Sequence, residues 1–147
     1  MMKASRHSRW EGIRLGLAVA TTIWIWIAAV DAVAGQPWRT FTVLGGVAAF
    51  TLLHYLLNVA YGAAIVSAVH GAEREPSLAI AVVFGFLIIE FAFAMLTVLL
   101  AHTGLGHLAW VRILGGNLIG AVVGFALLSR RHRLVREVRA AEKEEED

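Results

Sequence analysis

Cysteine is absent from the 147 residues of this chain, and proline occurs only twice. Without thiols the chain has no disulfide, no thiolate metal site and no cysteine nucleophile. It also lacks a glycine-rich phosphate loop, a Ser-His-Asp set and paired carboxylates, so we expect no enzyme of the soluble kind. No basic stripe is interleaved with aromatic residues in a foldable soluble region, which argues against nucleic-acid binding.

Apolar residues are plentiful instead: they make up 59% of the chain, against about 45–50% in soluble domains. A transmembrane helix needs about 20 predominantly apolar residues, and four stretches of the sequence satisfy that length. The connections between them are short, so consecutive helices should be antiparallel neighbours. The sequence therefore predicts an all-α, integral membrane four-helix bundle of up-down topology, with spans at about 13–34, 41–69, 77–101 and 108–128.

Basic residues at the two ends of the chain predict its orientation. Lysines and arginines gather in the N-terminal segment 1–12 and in the charged, helical tail 130–147, on either side of the membrane domain 13–129. Cytoplasmic segments carry an excess of Lys and Arg, so both termini should be cytoplasmic in a bacterial-type inner membrane. A signal peptide ending at Ala34 is the alternative, but the first apolar run is longer than the usual stretch of about 7–15 residues.

Glu90 is the one charged residue in the third apolar run, 77–101. A carboxylate at that depth costs roughly 2.5–3.5 kcal/mol on insertion scales, so a partner, a proton or a function has to offset it. Counted from the span ends, Glu90 and His54 fall at similar depth. We therefore expect a pair in which a proton is shared or an ion pair forms.

Four polar residues of the second span lie on one helical face, because they are spaced at i, i+3, i+7 and i+10. Unsatisfied polar groups cannot face lipid without a cost of several kcal/mol each, so this face should point into the bundle or into an oligomer interface. With one asparagine of the fourth span and Glu90, they form the predicted polar centre: Thr51, His54, Asn58, Tyr61, Glu90 and Asn117.

The polar centre also has a purely structural interpretation. Buried Asn and His residues join membrane helices through hydrogen bonds worth on the order of 0.6 kcal/mol each. Gly116, Gly120 and Gly124 add a small-xxx-small ladder on the fourth span, which permits close helix packing inside the bundle or against a second copy.

A second polar group is predicted at the outer face. Asp31, His102 and His107 carry ligand types that zinc prefers, and Arg112 is a further polar residue expected at this face. Their spacing matches no tight metal motif, so they are weak candidates for a metal site, and no cofactor is strongly implied.

Three functions fit these observations. The leading hypothesis is proton- or small-cation-linked transport or conduction, with Glu90 as the protonatable carrier and an oligomer forming the path. The alternative is a non-catalytic accessory or assembly subunit, or a ligand-binding bundle, of a larger membrane complex. Haem or metal redox chemistry at His54 comes last, because no other histidine lies near the middle of a span. The expected partners are the lipid bilayer and either a second copy or a larger complex.

Overall fold

A computed structural model describes residues 2–72, 85, 88–89, 91–92, 94–99, 102 and 105–132 of the chain. These residues form helices and turns, and no strand occurs among them. Three long helices are present: α1 (Met2–Val33), α3 (Val47–Ala72) and α4 (Gly115–His132), with a short α2 (Arg39–Val43) after the first. A 3₁₀ turn (Gly106–Leu108) and a π-helical segment (Trp110–Leu114) lead into α4. The described residues between 85 and 99 are helical, and Glu90 lies outside the described residues.

The predictions of an all-helical chain and of helices with membrane-spanning length and apolar composition are confirmed for the described residues. Three helical segments of the described chain are long and apolar enough to cross a membrane: Trp10–Val33, Val47–Gly71 and Gly106–Arg130. A bilayer core of about 30 Å needs about 20 residues at a rise of about 1.5 Å each. All three segments satisfy this length.

The predicted second span, 41–69, is divided in the structure. Phe41 belongs to α2, and α3 begins only at Val47. Between the two helices, Gly45 and Gly46 have φ angles of 100° and 98°, which side-chain-bearing residues rarely adopt. Two consecutive residues in this conformation end α2 and redirect the chain, so apolar composition alone misplaced the start of the span.

The first and fourth helices also differ in their limits from the predicted 13–34 and 108–128. α1 begins at Met2, because the polar and basic residues before position 13 favour helix and extend it. The fourth span enters through the 3₁₀ turn and the π-helical segment, and α4 then runs to His132.

α1 is the central helix of the described bundle, since both α3 and α4 pack against it more extensively than against any other element. The sequence of contacts along α1 shows the direction of each neighbouring helix. Gly12 meets Ala63 near the start of α1, while Trp24 meets Thr51 near its end. Val19 meets Gly124, and Trp26 meets Gly115. Both neighbours therefore run antiparallel to α1 and parallel to each other.

The α1–α3 crossing brings two backbones into direct contact through three glycines. A Cβ atom on Gly12 would lie 2.5 Å from the Cα of Ala63, and one on Gly16 would lie 2.6 Å from the Cα of Val59. From the other side, a Cβ on Gly62 would meet the backbone of Gly12 and Gly16. Small residues allow such close approach in membrane helices, so these glycines set the α1–α3 distance.

The predicted glycine ladder on the fourth span packs against α1 within the same chain. A Cβ on Gly120 would lie 2.7 Å from the Cδ1 of Ile23, and one on Gly116 would lie 3.1 Å from the Cδ1 of Trp26. At Gly124 the nearest atom, on Val19, is at an ordinary contact distance of 3.4 Å. The ladder therefore serves an intramolecular seam that loosens toward the end of α4.

The outward faces of the long helices are apolar. Leu52 and Leu56 of α3 are 75% and 63% exposed, and Leu118 and Phe125 of α4 are 64% and 63% exposed. Contiguous apolar surface of this kind is typical of membrane or protein contact.

A Gly16→Ala substitution tests the α1–α3 contact. The added methyl would meet the carbonyl oxygen of Asn58 and the Cα of Val59, so the helices must separate. We expect a loss of about 2 kcal/mol in the free energy of unfolding, within the usual cost of overpacking. The measurement is SDS-titrated unfolding in mixed micelles.

Gly124→Ala is the matched control, because its methyl fits at contact distance. This variant should be neutral, or more stable by up to about 1 kcal/mol through helix propensity. Equal stability changes in the two variants would contradict the close backbone contact.

Candidate functional site

The polar face of α3 points at α1. The indole Nε1 of Trp24 donates a hydrogen bond of 3.0 Å to the Oγ1 of Thr51. One turn further along α3, His54 Nε2 lies 3.0 Å from the backbone carbonyl of Ala20. The polar face therefore meets a neighbouring helix of the same chain.

His54 has a defined hydrogen-bonding pattern. Its Nδ1 lies 3.3 Å from the Nδ2 of Asn58, an amide nitrogen that can only donate. Nδ1 therefore accepts, and Nε2 carries the proton that is donated to the Ala20 carbonyl. This pattern corresponds to the neutral imidazole with both ring nitrogens engaged. Asn58 also donates a hydrogen bond of 2.9 Å to the backbone carbonyl of His54, which fixes its amide group.

Aromatic rings enclose His54. The ring of Phe50 stacks on the imidazole at 5.1 Å and 12°, and the ring of Tyr55 meets it edge-on at 5.9 Å. The Tyr55 hydroxyl shares a hydrogen bond of 3.0 Å with Thr21 of α1. Beyond Phe50, ring contacts continue through Phe41 to Trp24 and Trp38. The imidazole is therefore held by hydrogen bonds in its plane and by rings around it.

The remaining members of the polar centre lie at different places. Tyr61 is half-buried two turns beyond His54 on α3. Asn117 is half-buried on α4, between the buried Gly116 and Gly120. Because Glu90 lies outside the described residues, the His54–Glu90 pair stays a prediction. The structure thus brings Thr51, His54 and Asn58 onto α1.

A second polar cluster is built around Asp31 at the other end of α1. Its Oδ1 lies 2.7 Å from the Nε of Arg112, and both side chains are 0% exposed. The Nε–H does not point along a hydrogen-bond direction, so this contact is an ion pair. Thr40 donates to the same carboxylate from its Oγ1, at 2.7 Å, and from its backbone N–H, at 2.8 Å. Asp31 therefore also caps the first turn of α2.

Besides its ion pair, Arg112 makes hydrogen bonds to two other segments of the chain. Its Nη1 donates to the backbone carbonyl of Leu105 at 3.1 Å, and its Nη2 donates to the side chain of Gln36 at 3.3 Å. Arg112 lies in the π-helical segment, where the widened turn changes the usual backbone pairing. The carbonyl of Val111 in that segment accepts a hydrogen bond of 2.9 Å from Trp26.

The predicted metal candidates are not brought together as a ligand set. Asp31 is bound to Arg112 and Thr40, while His102 and His107 are exposed. Across the described part of the chain, no group of three or more His, Asp or Glu residues is placed to hold a metal ion. In this arrangement, the guanidinium of Arg112 neutralises the buried carboxylate of Asp31.

Several residues that build these sites were missed from the sequence. Thr21 and Trp24 resemble ordinary residues of an apolar span, and Thr40 precedes the predicted second span. The pattern Gly12-x-x-x-Gly16 was the available signal for the close α1–α3 crossing. Opposite charges at the two span ends, Asp31 and Arg112, were the signal for the ion pair.

Comparison with known protein families, with curated proteins and with solved structures found no match to this chain. Its function is therefore argued from its own residues.

An Arg112→Gln substitution tests the buried ion pair. The substitution leaves the fully buried Asp31 carboxylate without its counter-ion. Removing one partner of such a pair costs about 3–5 kcal/mol, and we expect a loss of that size in the free energy of unfolding. SDS-titrated unfolding measures it.

The double variant Asp31→Asn/Arg112→Gln removes both charges, and it should recover at least about 1 kcal/mol relative to Arg112→Gln alone. Arg39→Gln, at an exposed site near the same end of the bundle, is the control and should cost less than about 1 kcal/mol, the usual limit for an interaction of an exposed charge. If the double variant lost as much free energy of unfolding as the two single variants lose together, the pairing of Asp31 with Arg112 would be contradicted.

Proposed function

We propose that this chain is a non-catalytic accessory or assembly subunit of a larger membrane complex, and that its polar centre stabilises one packing of its helices. The observation that carries this proposal is the hydrogen-bonding pattern of His54. Both of its ring nitrogens are engaged, one with the Ala20 carbonyl and the other with Asn58. Both partners belong to this chain, and hydrogen bonds of this kind join neighbouring membrane helices.

The apolar outer faces support the same proposal. Leu52, Leu56, Leu118 and Phe125 are all more than half exposed, while the side chains of Thr51 and His54 are directed at α1. A subunit of this kind offers apolar surface to lipid and to partner helices and keeps its polar groups for its own fold.

We further propose four spans, with both termini cytoplasmic in a bacterial-type inner membrane. The parallel arrangement of α3 and α4 supports this topology, because a chain that joins two parallel helices has to return from one end of the bundle to the other. The apolar run 77–101 is long enough for that return crossing. The basic residues at both ends of the chain agree with the positive-inside rule.

Co-purification tests the accessory role. The full-length, tagged chain is extracted from its native membrane in mild detergent, and the mass of the complex is measured by size exclusion with light scattering. We expect a larger protein in fixed stoichiometry with this chain, because an accessory subunit has a defined partner.

Mixing two differently tagged copies provides the control for self-association. A single chain alone in detergent and after cross-linking in the intact membrane would contradict the accessory role. So would a complex that contains copies of this chain only.

Proton- or small-cation-linked transport is the second candidate, and one specific observation favours it. Glu90 is a carboxylate in an otherwise uncharged apolar run, and intramembrane ionisable residues often mark ion pathways. In this candidate Glu90 is the protonatable carrier.

Flux measurements decide between the two candidates. The purified chain is reconstituted into liposomes, and proton and K⁺ fluxes are compared for the native chain, Glu90→Gln and His54→Gln. The accessory role predicts fluxes equal to those of protein-free liposomes in all three cases. A native flux that falls at least about ten-fold in Glu90→Gln would establish transport and overturn the accessory role, since loss of a proton carrier typically abolishes the relay.

A further inference from the structure

The two basic ends of the chain meet at one end of the bundle. α1 and α4 run antiparallel, since Trp26 contacts Gly115 while Val19 contacts Gly124. The beginning of α1 therefore lies beside the end of α4. We call this region the basic end; its described helical residues include Lys3, Arg6, Arg9 and Arg14 of α1 and Arg130 and Arg131 of α4.

Basic residues outnumber acidic ones in the described part of the basic end, whereas the sequence that follows it, 133–147, carries charges of both signs. Within residues 2–14 and 130–132, these six basic residues accompany a single acidic one, Glu11. The opposite end of the bundle differs, because there Arg112 is neutralised by Asp31 and is wholly buried. Arg39 is an exposed arginine at that opposite end. The tertiary structure thus concentrates positive charge at one end of the described bundle.

α1 presents an aromatic and a basic side chain on its free face at this end. Trp10 is 63% exposed, and Arg14, one turn later, is exposed on the same face. Gly12 follows Trp10 by two residues, and Gly16 follows Arg14 by two. Both glycines contact α3, and a spacing of two residues places them on the opposite side of the helix. Trp10 and Arg14 therefore face away from the α1–α3 seam.

We infer that the basic end binds the headgroups of anionic phospholipids. An exposed tryptophan sits favourably at the headgroup level, where its ring is apolar and its N–H is polar. Juxtamembrane arginines and lysines are attracted to anionic lipid, and four to eight of them in a cluster are typical of such binding. This inference requires that the chain spans a membrane, but it does not depend on the accessory role.

The chemistry of recognition is charge complementarity between guanidinium groups and lipid phosphates. Arginine pairs with phosphate through two parallel hydrogen bonds, which lysine cannot make. The glycine contacts of α1 with α3, and of α1 with α4, place the start of α1 and the end of α4 at the same end of the described bundle. Because both ends contribute, the binding surface exists only in the folded chain.

Native mass spectrometry of the full-length chain in detergent tests the inference. The chain is titrated with phosphatidylglycerol or with phosphatidylcholine, and the number of retained lipids is counted at each concentration. We expect phosphatidylglycerol to be retained preferentially. In Arg14→Gln/Arg130→Gln, its affinity should fall by roughly five-fold for each arginine removed, and the preference should weaken as salt is raised.

Arg39→Gln is the matched control, since it removes an exposed arginine from the opposite end and should leave retention unchanged. A further arm adds inorganic phosphate in excess: retention of phosphatidylglycerol that survives it assigns the site to lipid. Circular dichroism and SDS-titrated unfolding check that the double variant keeps its fold.

Three results would overturn the inference. They are equal retention of the two lipids, retention in the double variant equal to that of the native chain, and an equal loss in Arg39→Gln. Because lipid retention is measured without a partner protein or an ion flux, its outcome is separate from that of the proposed function.

Discussion

The backbone contact between α1 and α3 determines the geometry of the polar centre. Gly12, Gly16 and Gly62 lack the side-chain atoms that would keep the two helices apart. At this short distance, a side chain of α3 reaches the backbone of α1, and His54 donates to the Ala20 carbonyl across the seam. In an apolar environment a polar group has to find its partner within the protein. The glycines therefore allow the half-buried imidazole to reach a backbone partner.

The two polar sites are joined through α1. The histidine site lies on its α3 side, and the Asp31–Arg112 ion pair lies near its end. Both sites give polar groups a partner within the protein. The first uses neutral hydrogen bonds, and the second uses opposite charges with added hydrogen bonds from Thr40. The tilted aromatic rings between them, Trp24 and Phe41, fill the space with apolar area. α1 is thus both the packing centre and the common partner of the polar groups.

The all-helical class of the fold could be predicted from the sequence, whereas the polar centre as a functional site stays a prediction. The excess of apolar residues and the long uncharged runs predicted membrane-length helices, and three of them are present in the described chain. The polar spacing of Thr51, His54 and Asn58 placed these residues on one helical face, which the structure directs at α1. The break between α2 and α3 at Gly45 and Gly46 was not predicted, because hydropathy averages composition over a window and carries no information on backbone conformation. The predicted partner of His54, Glu90, lies outside the described residues.

The sequence by itself determined the helices, their apolar faces and the uneven distribution of charge, since each of these depends on residues close together in the chain. Only the tertiary structure decided which helix receives the polar face and that Asp31 pairs with Arg112. Those outcomes depend on contacts between residues far apart in sequence. Such contacts follow from how closely the backbones can approach, and at the α1–α3 crossing that distance is set by the glycines.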